Sequence, residues 1–142
     1  MEVSDVRRRI RAAIESARLR AADRRSRTDE ASRAYDACLE TVAVPAFHTV
    51  VSALTGEGHR FKVITPGRAV RMSPERTPED FIELALDTDR DTPGVVLLSS
   101  RGRGRRTVTT ERVLCAGAEI AALTDEIVVS ALLEELLPFI ER

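Results

Sequence analysis

In the first forty residues of the chain, apolar side chains recur at helical spacing, but they form only a narrow row. No glycine or proline occurs before Pro45. Alternate steps of four and three residues from Val3 to Val42 meet an apolar side chain at nine of twelve positions, where composition alone gives about five. Arg7, Arg24 and Thr28 interrupt this series, and alanine supplies much of it. The pattern therefore predicts a long helix with a narrow apolar stripe.

Two arrangements of this segment fit the pattern. One is a continuous helix, about 63 Å long, that starts at Ser4 and Asp5 and ends near Val44. Such a helix is longer than a domain of this size can cover, so it would need a partner helix. In the other, Ser26 or Thr28 caps a second helix and the chain folds back on itself. We favour the continuous or gently bent form.

The pattern changes from helix to strand after Pro45, which is expected to kink or restart the helix. A short helical stretch ends at glycines within residues 55–58, and residues 60–65 and 69–72 then alternate as strands do. The four residues 95–98 are apolar on both faces, which is typical of a central strand.

That central strand needs a neighbour on each side. Residues 106–113 form one neighbour, across a turn. Residues 80–87 fit either an acidic-faced helix or a strand, and we favour the strand because it supplies the second neighbour.

A final amphipathic helix begins at Thr124 and is bent or ended by Pro138. The predicted fold is α+β: a long N-terminal helix kinked near Pro45, an antiparallel meander of four to five strands, and a C-terminal amphipathic helix. We divide it into an N-terminal helical segment, residues 1–55, and a small α+β head, residues 56–142, within one cooperative domain. The apolar face of the final helix comprises Val129, Leu132, Leu133, Leu136 and Ile140, and its acidic face includes Glu134, Glu135 and Glu141.

Composition shows where the chain lacks apolar material. Hydrophobic residues make up 43% of the 142 residues, but the first 45 residues hold only 11 larger than alanine. That segment cannot form its own core, so it must pack on the rest of the chain or on a second copy. We predict a non-catalytic interaction or oligomerisation module that is homodimeric through this helix, with another protein as the alternative partner. The expected partner-helix interface comprises Val3, Ile10, Ile14, Ala17, Ala21, Tyr35, Cys38 and Val42.

Charge suggests an alternative function. The chain carries −1 overall, but residues 1–27 carry +5 and the remainder −6. This imbalance fits either pairing between the two parts, or between two protomers, or contact with nucleic acid. In the arginine-rich segment of residues 101–106, glycine lets the backbone approach a phosphate closely and arginine binds the phosphate oxygens. No exposed aromatic residue is expected near this segment to stack on bases. The order of elements is similar to that of small dimeric nucleoid-associated proteins, at the level of fold alone. The candidate DNA or RNA contacts are Arg8, Arg11, Arg101, Arg103, Arg105 and Arg106.

Few residues suggest chemistry. A calcium-loop-like start at residues 87–91 lacks the glycine and glutamate that such a loop needs later. The two histidines, His48 and His59, have no ligand partners at metal spacing, and Cys38 and Cys115 are interpreted as buried thiols. We predict no catalytic, cofactor or metal site in a single chain, although an enzyme site assembled between two copies stays open. No leader or membrane span is recognised, so a cytoplasmic location without a membrane partner is expected.

Overall fold

A computed structural model describes residues 1–141 of the chain. It has the predicted α+β fold, with a long N-terminal helix, a five-stranded antiparallel sheet and a C-terminal helix. The elements are α1 (Val3–Cys38), a π-helical turn (Leu39–Ala43), α2 (Val44–Gly56), β1 (Phe61–Ile64), β2 (Val70–Pro74), β3 (Phe81–Asp87), β4 (Gly94–Arg103), β5 (Arg106–Ala116), a 3-10 helix (Gly117–Ala122) and α3 (Asp125–Ile140).

The N-terminal helix is continuous, and the chain does not fold back at Ser26 or Thr28. It begins at Val3, and the residue that caps it, Glu2, makes no side-chain capping hydrogen bond. The irregularity expected near Pro45 is the π-helical turn just before it. Proline has no N–H to donate and its ring crowds the carbonyl four residues earlier, so the wider π spacing lets the helix continue.

The strands pair in chain order, β1-β2-β3-β4-β5, as an antiparallel meander. The ambiguous residues 80–87 contain strand β3, the middle strand of the sheet, which pairs Leu84 with Leu97 of the inner strand β4. α2 and α3 pack on one face of the sheet. The other face carries ion pairs, such as Arg71 with Glu83 at 2.9 Å. The core therefore lies in one layer, between the sheet and the helices.

The second part of α1 belongs to this core. Tyr35 is 1% exposed, and its hydroxyl donates to the carbonyl oxygen of Arg68 at 2.6 Å. Cys38 is buried too, and its thiol donates to the carbonyl oxygen of Ile120 at 3.2 Å. Both were expected at a partner-helix interface, and their side chains are enclosed by their own chain. Val42 is half-buried against the same core.

The continuous helix over residues 3–56 includes one segment long and apolar enough to cross a membrane, judged by length and composition only. Its last 13 residues, α2, bury Ala46, Phe47, Val50 and Leu54 in the core. Of the apolar segment, 28% is buried inside the protein.

Candidate functional site

The most unusual surface of the molecule is the N-terminal part of α1, residues 3–30, which we call the arm. It is about 42 Å long. Within it only Asp5, Ala21 and Thr28 are even half-buried, and the first buried residue of the helix is Ala31. The arm therefore extends from the head without being covered by it.

The arm is helical for local reasons. Alanine and arginine, its main residues, are strong helix formers. The packed part of α1 supplies the nucleus, so extension adds a hydrogen bond for each residue ordered. Exposed ion pairs one turn apart, Arg8 with Asp5 at 3.5 Å and Arg27 with Asp23 at 3.2 Å, add a little support. The arm thus needs no contact with the head to be helical, and its apolar side chains are left for another surface.

Those apolar side chains share one side of the helix. At about 100° per residue, the centre of this side lies within about 60° of the face that is buried at Ala31, Tyr35 and Cys38. Ile10 is 51% exposed on this side, and Leu19 is 63% exposed on the opposite side. We call this side the arm stripe; its members are Val3, Val6, Ile10, Ile14, Ala17 and Ala21. The stripe continues the core-facing surface of α1 beyond the point where the head ends.

Arginine borders the arm stripe on both sides. With Val3, Ile10, Ile14, Ala17 and Ala21 at the core positions of a heptad pattern, one flank holds Arg11, Arg18 and Arg25, and the other holds Val6, Arg20 and Arg27. Arg7 and Arg24 occupy core positions of the same pattern. Neither flank holds an acidic residue within the arm. Of the five acidic residues of the arm, Asp5, Glu15, Asp23 and Glu30 lie on the opposite side of the helix, and Asp29 lies about a quarter turn from the centre of the stripe. The arm is therefore a basic amphipathic helix.

The base of the arm lies beside the β3–β4 loop. A groove of about 330 Å³ separates them. The loop contributes Arg90 and Asp91, and the arm contributes Arg24, Arg27 and Asp29. The arm thus leaves the head at the end of the sheet that carries this loop.

The second predicted basic segment, residues 101–106, forms the turn between β4 and β5. Gly104 adopts a positive φ of 63° there, as a tight hairpin requires. The side chains of Arg103, Arg105 and Arg106 are exposed, and Arg101 is half-buried. A cleft of about 620 Å³ lies between this turn and the end of α3, at Pro138 and Glu141. The negative end of the α3 dipole lies beside these cations and offsets part of their charge.

The two basic regions do not form one surface. The hairpin turn is at one end of β4 and the arm leaves at the other, and a ten-residue strand is about 33 Å long. Arg8 and Arg11 are therefore far from Arg101, Arg103, Arg105 and Arg106.

α3 also has an exposed apolar surface that was not predicted from the sequence. Val128, Leu132 and Leu136 face the core, but Leu133 and Ile140, expected on the same apolar face, are exposed together with Leu137. We call this the outer α3 face; it comprises Glu126, Ser130, Leu133, Glu134, Leu137, Ile140 and Glu141. Leucine at 132, 133, 136 and 137 covers more of the helix circumference than one packed side can bury, and that was the available signal.

The histidine and cysteine side chains, which could take part in catalysis or metal binding, are either exposed and isolated or buried. His48 and His59 are exposed, and Cys38 and Cys115 are free, buried thiols. Burial raises the pKa of Cys115 to about 11, which keeps it protonated and weakly nucleophilic at neutral pH. Among residues 1–141 no group of three or more metal-binding side chains is found.

Comparison of the chain with protein-family models, with curated proteins and with solved structures gave no match. The functional assignment therefore depends on the exposed surfaces described above.

Proposed function

We propose that the protein is a non-catalytic interaction module that forms a homodimer through its arm. The supporting observation is the arm stripe, an apolar surface on a rigid helix that the head leaves uncovered. Val3, Val6, Ile10 and Ile14 are all exposed. Monomeric proteins tolerate scattered exposed apolar side chains, whereas a contiguous row of them marks an interaction surface.

The free energy gained by burying the arm stripe is comparable with the cost of association. Fully burying a valine or isoleucine side chain contributes about 1.5–3 kcal/mol. The stripe residues are roughly half-exposed in one chain, so covering four of them on each of two copies contributes about 6–12 kcal/mol. Association itself costs on the order of 4–15 kcal/mol. Apolar burial alone therefore gives a marginal dimer, and the charges around the stripe decide which surface it binds.

The test replaces stripe residues with charge in the full-length chain. Ile10→Asp combined with Ile14→Asp should convert the dimer to a monomer in sedimentation equilibrium, because both carboxylates would be buried in the contact. Leu19→Asp is the matched control, since it makes the same kind of change on the opposite side of the arm and should leave the dimer intact. A dimer that tolerates the double substitution, or a wild-type chain that is monomeric, would overturn the proposal.

Nucleic-acid binding is a second candidate, favoured by one specific observation: three exposed arginines at a glycine-containing hairpin turn. If this turn binds phosphate, affinity for duplex DNA or RNA should fall steeply with salt. The affinity should also fall in the variant Arg103→Ala/Arg105→Ala. Any effect of Arg8→Ala on the affinity should be independent of that variant, because Arg8 lies at the far end of the molecule. Absence of a complex with either nucleic acid at about 50 mM salt, where phosphate contacts are strongest, would exclude this candidate.

A further inference from the structure

We propose that the arm of one copy docks on the outer α3 face of a second copy, and that the second arm does the same in return. This inference rests on the proposed function and names the surface that the arm binds. The arrangement is a reciprocal twofold exchange in which each chain supplies one basic and one acidic helix.

The flanks of the arm disfavour pairing between two arms. In an antiparallel pair each flank faces its own copy, so Arg11, Arg18 and Arg25 would lie against the same three arginines. In a parallel pair Arg20 would face Arg25 of the other arm. Like charges at these positions are destabilising, and the alanine-rich stripe offers little to offset them. The partner surface should instead carry acidic flanks.

The outer α3 face has the required complementary pattern. Leu133 and Leu137 are 55% and 56% exposed, and Ile140 extends their row. At about 100° per residue, Glu126 lies in line with this row and Glu134 and Glu141 lie on its outer flank, and α3 contains no basic residue. An apolar row with acidic neighbours thus matches an apolar row with basic neighbours.

The geometry requires that this contact form between two molecules. α1 is one unbroken helix from Val3 to Cys38, and its C-terminal part is held on the head by the buried side chains of Tyr35 and Cys38. The arm therefore cannot turn back onto α3 of its own chain, and its stripe is exposed. The 16 residues of α3 span about 24 Å, so the arm, at about 42 Å, is long enough to cover the whole outer face.

A charge exchange tests the pairing in the full-length chain. The arm variant is Arg11→Glu/Arg18→Glu, and the α3 variant is Glu126→Arg/Glu141→Arg. Each alone places like charges across the contact and should raise the dimer Kd about tenfold or more at low salt. The four substitutions together restore opposite charges, and the Kd should return to within about threefold of wild type. Glu134 is left unchanged because it binds Arg112 of the sheet.

The control variant Arg8→Glu/Arg33→Glu makes the same change in net charge on the side of α1 opposite the stripe, and it should leave the Kd unchanged. Circular dichroism of each variant is the control for folding. If the α3 variant dimerises like wild type while Ile10→Asp/Ile14→Asp is monomeric, the inference is overturned and the proposed function stands. Failure of the fourfold variant to recover, with all proteins folded, also overturns the inference. A monomeric wild-type chain overturns both.

Discussion

At the scale of single residues, Tyr35 marks the junction between the part of α1 that the head covers and the part that it does not. Its ring is enclosed and its hydroxyl reaches the backbone of the β1–β2 loop. Burial raises its pKa well above the ordinary value for tyrosine, so the hydroxyl stays a hydrogen-bond donor. This side chain fixes where the rigid helix attaches to the sheet.

Removing that hydroxyl should weaken the junction. Tyr35→Phe should lower the free energy of unfolding by about 1 kcal/mol, because the carbonyl oxygen of Arg68 loses a buried partner. Asp36→Asn, which removes the neighbouring exposed ion pair with Arg68, should cost less than about 0.5 kcal/mol. Urea unfolding at one fixed protein concentration measures both values. Equal costs for the two substitutions would contradict the account of the junction.

Cys115 should make the stability depend on alkaline pH. The pKa of its thiol is near the ordinary value of 9.0 in the unfolded chain, but burial raises the folded pKa to about 11. The folded state therefore holds the proton more tightly, and this contribution to stability is present below pH 9 and is lost as the pH rises towards 11. Cys115→Ala should flatten the fall in unfolding free energy across this range. An unchanged pH profile in the variant would contradict the assignment.

At the scale of elements, the sequence predicted α1 correctly because a helical stripe is a local signal. The strand at residues 80–87 followed from the need of the apolar residues 95–98 for two neighbours. The sequence could not show which part of the stripe is covered, because that depends on where the sheet ends in space. Tyr35 and Ile10 have equivalent positions in the pattern, yet one is enclosed and the other is exposed. The outer α3 face was missed for a different reason, since leucine at 132, 133, 136 and 137 already covers more of the helix circumference than one packed side can bury.

Removing the arm should leave the free energy of unfolding of the rest of the chain almost unchanged. A chain that begins at Thr28 keeps every core residue, so its unfolding free energy should match that of a monomeric full-length variant within about 1 kcal/mol. A chain that begins at Phe47 loses Tyr35, Cys38 and Ala43 from the core and should not unfold cooperatively. Thermal melts followed by circular dichroism compare the two. A cooperative melt from the shorter chain, or none from the longer one, would contradict this division.

At the scale of the whole molecule, charge is separated along the chain, with a basic arm at one end and acidic residues in the head. Such a distribution favours contact between unlike ends of two copies. The same distribution opposes contact between like ends. The sign of the salt dependence therefore identifies the contact.

Salt should weaken the dimer. If the arm binds the outer α3 face, raising the salt concentration from about 50 mM to about 500 mM screens attraction between the copies and raises the dimer Kd. If two arms pair with each other, the same change screens repulsion between arginines and lowers the Kd. Sedimentation equilibrium at several salt concentrations measures the slope. A Kd that falls with salt would contradict the exchange of arms.

We expect a second copy to cover the arm in solution. Sedimentation equilibrium of the intact chain beside the chain that begins at Thr28, at the same micromolar concentrations, measures whether the arm is needed for association. The intact protein should have twice the 15.7 kDa mass of one chain, and the shortened chain should be a folded monomer. An intact chain that stays a single monomer throughout, or a shortened chain that still dimerises, would contradict the account.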